Sequence, residues 1–256
     1  MIKTIFFDAD GTLISHRLRD VPESARAALR TLRQNGIQCV LATGRHMIEV
    51  DELPIRDIAF DGYVTVNGQL CLDEKRTPLS DSPINDEAMA LIAELFREKK
   101  VSIMLKEQDR MYVNVVTDRL CSTQKDISSA VPPLGEYEGA PIYQAVFYIP
   151  EEEEEMLRSL RPLCEFTRWH RDGIDLFELG GGKVPGIREY LHRSGIAREE
   201  TMAIGDGDND KDMLRFAGIG VAMGNAAEDV KAAADYVTDS VDEDGIAKAL
   251  RHFDLI

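Results

Sequence analysis

Short apolar runs alternate with helical patterns from the start of the chain. Ile5-Phe6-Phe7 forms a first run, Ala25, Ala28, Leu29 and Leu32 follow at helical spacing, and Cys39-Val40-Leu41-Ala42 forms a second run. That is a β-α-β signature. Pro22 suits a first helical turn and Gly36 a C-terminal cap, so the spacing predicts a helix from about Pro22 to Asn35. The alternation returns near the end, with a helix after Pro185, a strand at Met202-Ala203-Ile204 and a helix through Met213-Leu214. A short strand at Ile219-Gly220-Val221 and helices near Ala226 and Ile246 complete it. Both ends therefore predict one α/β layer structure, a doubly wound parallel, Rossmann-like sheet.

The middle of the chain follows another rhythm. Val101 to Leu105, Met111 to Val116 and Tyr143 to Ile149 read as strands, and Glu87 to Lys99 and Glu151 to Arg161 as helices. Close strand spacing around Gln108-Asp109 predicts a hairpin, hence an inserted antiparallel α+β module. Pro78, Pro83 and Gly180-Gly181-Gly182 mark its crossings. The expected division is a core of residues 1–81 and 180–256 with an insertion of residues 82–179. The acidic run Glu151 to Glu155 reads as a solvated first helical turn, where carboxylates favour the positive end of the helix dipole.

Charge narrows the partners. Thirty Lys and Arg stand against 46 Asp and Glu, a net charge of −16, and such a field repels nucleic acid and anionic membranes. An anionic small substrate stays open, because a metal ion and a few placed cations can reverse the potential inside a pocket. Cys39, Cys71, Cys121 and Cys164 lie far apart without a C-x-x-C pair and read as reduced core thiols. The chain enters a strand directly after Met1 and holds no apolar run long enough to cross a bilayer, so a cytoplasmic protein is expected, as a monomer or weak homodimer.

Chemistry gathers where strands are expected to end. Asp8-Ala9-Asp10-Gly11-Thr12 follows the first run, placing two carboxylates at the carboxyl end of a buried strand, where open α/β sheets bind ligands. Two acids at this spacing can divide labour between nucleophile and metal ligand on one side and proton carrier on the other. Taken alone, an Asx-type turn would also explain Asp8 to Gly11. Thr43-Gly44-Arg45 after the second run offers a hydroxyl, backbone N–H groups and a guanidinium, all phosphate donors. Gly205-Asp206-Gly207-Asp208-Asn209-Asp210 closes a third strand, and Lys183 supplies a compact charge ahead of the helix near Pro185. Three carboxylates around an oxygen-loving cation suit Mg²⁺. A calcium loop is excluded because Lys211 stands where Gly is needed and Ala217 where the bidentate Glu should be; a P-loop is excluded because Val184 replaces the Ser/Thr and Phe177 the first Gly.

In these motifs the chain resembles the haloacid dehalogenase superfamily and, more narrowly, its Cof-type phosphatases, which carry a large α/β cap between their second and third motifs. The resemblance implies a phosphomonoester hydrolase in which Asp8 attacks phosphorus and Asp10 protonates the leaving group. It implies Ala9, Thr43, Gly44, Lys183 and Asn209 at the phosphate, Asp8, Asp10 and Asp206 at Mg²⁺, and Asp210 and Arg45 in support. G-D-x-x-N-D-x-x-M is matched by Gly205, Asp206, Asn209, Asp210 and Met213. Val184-Pro185 stands where family members carry a Gly after the motif lysine, and Asp208 fills an open position as a solvated loop acid. His16, His46, His192 and His252 have no metal-ligand spacing, while Arg168 and His170 are candidate contacts to the substrate's leaving group. The expected partner is a small phosphorylated metabolite: a sugar phosphate, nucleotide or cofactor phosphate. A hexose phosphomutase-like transferase and a non-catalytic metabolite-binding regulator on the same fold are the alternatives.

Overall fold

The computed structural model describes residues 1–127 and 129–256. Two compact units emerge from its contacts: Met1–Ser80 with Gly182–Ile256, and Asp81–Gly181. The first part of the chain gives β1 (Thr4–Phe7), α1 (Glu23–Gln34), β2 (Gln38–Ala42), α2 (Met47–Val50), β3 (Gly62–Thr65), β4 (Leu70–Asp73) and β5 (Pro78–Asp81). The second unit holds α3 (Asp86–Glu98), β6 (Ile103–Lys106), β7 (Met111–Val113), α4 (Asp118–Asp126), β8 (Gln144–Phe147), β9 (Cys164–His170) and β10 (Gly173–Glu178). The chain then returns with α5 (Lys183–Ser194), β11 (Thr201–Gly205), α6 (Lys211–Phe216), β12 (Ile219–Ala222), α7 (Glu228–Lys231), β13 (Tyr236–Val237) and α8 (Gly245–His252).

The larger sheet runs in the order β13-β12-β11-β1-β2-β3-β4-β5. Its strands from β13 to β3 pair in parallel, and β4 turns back antiparallel on β3. Because side chains alternate along a strand, β1 feeds two cores. Ile5 and Phe7 pack with Ala25, Ala28, Leu29 and Leu32 of α1 and with Ile246 and Leu250 of α8. Phe6 lies on the other face with Ile187 and Tyr190 of α5 and Met213 of α6. Helices thus cover both faces, as a doubly wound sheet requires. The departure from an all-parallel sheet is the β3–β4 hairpin, whose turn carries Asn67-Gly68.

The second unit is a five-stranded antiparallel sheet, β7-β6-β8-β10-β9. Met89, Ile92 and Phe96 of α3 pack on Ile103, Ala145, Phe147, Ile174 and Leu176 from one sheet face. The hairpin at Gln108-Asp109 joins β6 to β7. Glu151–Leu157 forms a 3-10 turn rather than an α-helix, and its acids are not simply solvated. Glu153 pairs with Arg119, Glu154 with Arg161 and Arg168, and Glu155 with Arg158. Among the described residues, no helix is long and apolar enough to cross a membrane. All four cysteines are free thiols, and burial pushes Cys39, Cys71 and Cys164 up to about 12.

Candidate active site

Three neighbouring parallel strands set the geometry. Asp8 follows the last residue of β1, and its N–H bonds Ile204 O of β11 at 3.0 Å, so the ladder carries it to the strand's carboxyl end. Asp206 follows β11 in the same way, and Thr43 follows β2. Lys183 is the first residue of α5, with Gly182 as its cap, so the helix starts two residues before Pro185. Pro185 costs nothing there, since first-turn N–H groups have no partner inside the helix.

Lys183 is 2% exposed, and its ammonium donates to Asp8 Oδ1 at 2.7 Å, Asp210 Oδ1 at 2.5 Å and Ala42 O at 2.8 Å. An ammonium has three protons, and all three are taken. Here it holds two carboxylates and the end of β2. Asp210 is equally committed, because its second oxygen accepts from the N–H groups of Asp206 and Gly207 at 2.9 and 2.8 Å. It fixes the loop that presents Asp206.

Carboxylate oxygens of Asp8, Asp206 and Asp210 lie within 4.8 Å of one another. Burial first, then the charge of Asp210, push the Asp8 carboxyl well above the ordinary range, against the pull of Lys183. Asp206 is pushed up to about 7 by burial and by Asp210, although a 2.7 Å bond from Thr12 Oγ1 opposes the shift. Burial alone would lower the Lys183 pKa, but Asp210 and Asp8 outweigh it and the net shift is upward. One ammonium thus faces three acids. Hard oxygen donors with an unbalanced negative charge fit a divalent cation such as Mg²⁺, which would return these acids to their ionised form.

The Asp10 side chain has a different neighbour. Arg45 grips it with both arms, Nε on Oδ2 at 2.9 Å and Nη2 on Oδ1 at 3.0 Å, and its carboxylate is outside the acidic cluster. Arg45 thus faces both Asp10 and the buried Glu49. Thr43 is buried; its hydroxyl accepts from Arg45 N–H at 3.1 Å, leaving its own O–H as a donor. Ala9 is buried in the turn after β1, and Gly44 sits between Thr43 and Arg45. Asp208 is largely exposed and pairs with Lys211, as a solvated loop acid should.

Two asparagines escaped the sequence reading. Asn225 donates to Gly11 O at 2.9 Å and Asp206 Oδ2 at 3.0 Å, while its own oxygen accepts from Val241 N–H. Gly11 has φ +80, and a Cβ there would lie 2.2 Å from Asp206 Oδ2, so no larger residue fits beside that carboxylate. Asn67 accepts from Asn209 Nδ2 at 2.9 Å. In the second unit, Arg168 and His170 are already engaged. Arg168 donates to Glu154 and to the carbonyls of Ile149, His170 and Arg171; His170 Nδ1 accepts from Asp172 N–H, with its Nε2 3.5 Å from Asp126. Arg168 thereby clamps Glu154 to the carbonyls of Ile149, His170 and Arg171.

A family model described as haloacid dehalogenase-like hydrolase matches residues 5–250. The putative phosphatase YkrA of Bacillus subtilis is 32% identical over 99% of this chain and 98% of its own. From the same organism, YcsE, named a 5-amino-6-(5-phospho-D-ribitylamino)uracil phosphatase, is 28% identical over 98% of this chain and 96% of its own. Among solved structures, the subclass IIB sugar phosphatase BT4131 aligns with a TM-score of 0.88 at 38% identity, covering 99% of this chain and all of the other.

Proposed function

The chain belongs to the haloacid dehalogenase-like hydrolases and is a phosphatase of that family, and from that premise we propose that it hydrolyses a small phosphorylated metabolite through an aspartyl-phosphate on Asp8. The reading rests chiefly on the division of two nearby acids between unlike environments: Asp8 is buried against Lys183, and Asp10 is a third exposed and held by Arg45. Acids placed so differently take different roles.

In the first step an Asp8 oxygen bonds to phosphorus and the bond from phosphorus to the leaving oxygen breaks. Asp10 gives that oxygen its proton. In the second step water attacks the acyl-phosphate phosphorus, Asp10 takes the water's proton, and inorganic phosphate and free Asp8 result. Bringing a carboxylate to a phosphomonoester dianion is opposed by charge, so fixed positive groups dominate the barrier. Lys183 supplies one through its field; the Thr43 hydroxyl, the Asn209 amide and the backbone at Ala9 and Gly44 serve the phosphoryl oxygens. Mg²⁺, held by Asp8 and Asp206 with Asp210 behind them, would supply the remaining positive charge and keep Asp8 ionised.

None of these groups lies in Asp81–Gly181. A phosphoryl site is common to all phosphomonoesters, so discrimination comes from the leaving group. We assign that selection to the second unit, as a cap. The relatives named for sugar and ribityl phosphates support a polyhydroxylated metabolite as the substrate class. Asp8→Asn tests the core of the proposal, since the amide keeps the volume and loses the nucleophile. Turnover of an aryl phosphate should fall at least a hundredfold with an unchanged melting temperature, and the acid-stable phosphoenzyme trapped by rapid quench should vanish. Retention of a tenth of the activity would refute the covalent role.

A further inference from the structure

The β3–β4 turn is strained where it meets the site. Val66, Asn67 and Gly68 all have left-handed backbones, with φ +54, +52 and +85. Asn and Gly tolerate that region, but a β-branched residue such as Val avoids it, and such a conformation persists only where its surroundings impose it. Those surroundings are the phosphate-site segments. Val66 N–H bonds Arg45 O and Asn67 N–H bonds Thr43 O, each at 3.1 Å. A Cβ on Gly68 would stand 2.1 Å from Gly182 O, so the turn lies directly against the start of α5, one residue before Lys183. The Asn67 side chain, 1% exposed, accepts the 2.9 Å bond from Asn209.

One turn therefore touches the Thr43-Gly44-Arg45 loop, the start of α5 and the Asn209 amide. We propose that Asn67 is a positioning residue for phosphate binding: by accepting one Asn209 N–H it fixes the plane of that amide and directs the other N–H to a phosphoryl oxygen. A free carboxamide rotates about its last bond and offers oxygen as readily as nitrogen; the Asn67 oxygen selects the nitrogen for this edge. An amide oxygen turned toward phosphate would repel it. The inference rests on the proposed contact between Asn209 and the phosphoryl group.

Asn67→Gly removes the acceptor and keeps a left-handed backbone without strain. Asn67→Ala removes the same acceptor but strains the turn. Both should raise KM for an aryl phosphate and Ki for inorganic phosphate about tenfold, the equivalent of about 1.4 kcal/mol, with kcat changed less than KM. The alanine variant alone should lose thermal stability. In Asn67→Gly combined with Asn209→Ala, Ki should be no higher than in Asn209→Ala, because Asn67 acts through Asn209. Multiplying losses in the double variant would overturn the inference, as would a Ki that tracks melting temperature across the two Asn67 variants. If Asn209→Ala leaves Ki unchanged, the proposed role of Asn209 fails; if it raises Ki while Asn67→Gly does not, only the positioning role fails.

Discussion

Asp8 and Asp10 are two residues apart, yet one is bound by a lysine from α5 and the other by an arginine from the loop after β2. The turn after β1, not strand alternation, explains the divergence, since residues two apart on a strand share a face and both acids lie beyond Phe7. It gives the Asp10 side chain a place of its own beside Arg45. Asp10→Asn should therefore slow substrates with alkoxide leaving groups at least tenfold more than an activated aryl phosphate, which departs without a proton. Equal losses on the two classes, in kcat/KM, would remove Asp10 as the acid. The motif acids were legible because residue type and strand-end position both point to them. The pairing of Arg45 with Asp10 was not, since a guanidinium after Thr-Gly suits phosphate as well as carboxylate and the two residues meet only because β1 and β2 are adjacent. Asn67 and Asn225 were hidden for a related reason: asparagine is an ordinary turn residue, and Asn67-Gly68 signals a hairpin before it signals a site.

Among elements, α1 shows what periodicity can carry. Its four buried residues were the four picked from the sequence, and its ends at Glu23 and Gln34 lie just inside the expected Pro22 and Asn35. The hairpin of β9 and β10 shows the limit. Its alternation is broken by Arg168 and Asp175, polar residues with specific partners: Trp169 of β9 and Gln144 of β8 reach Asp175 at 2.7 and 2.8 Å, and Arg168 reaches back to Glu154. From sequence, Arg168 is a candidate substrate contact and the acidic run a solvated helical turn; in the structure Arg168 is tied to Glu154 of that run. Arg168→Ala would strip two bonds from Glu154 and one each from three carbonyls. The loss should be about 1–3 kcal/mol, read as a fall in melting temperature of about 2–10 °C, with the ranking of phosphorylated substrates unchanged. A changed ranking at unchanged stability would return Arg168 to the substrate.

For the molecule as a whole, the decisive quantity is the mismatch between a net charge of −16 and a site for an anionic substrate. Surface charge is screened within about 8–10 Å in ordinary salt, so the buried cluster settles the matter, and it carries excess negative charge of its own. The Asp206 carboxyl, at about 7 when folded, lies above its unfolded value of about 3.9. At this group the folded chain consequently holds more proton than the unfolded chain from about pH 4 to 7, and its contribution to stability falls as pH rises through that window. A bound cation needs ionised carboxylates, so its own contribution runs the other way. At a hundredfold excess over its dissociation constant a cation adds about 2.7 kcal/mol, or about 5–10 °C for a chain of this size. Millimolar Mg²⁺ added to chelator-treated protein should raise the melting temperature by that much near pH 8 and far less near pH 5, with Asp206→Asn abolishing the difference. Thermal unfolding reads this without any turnover. A shift that is the same at both pH values, or that survives Asp206→Asn, would place the cation elsewhere.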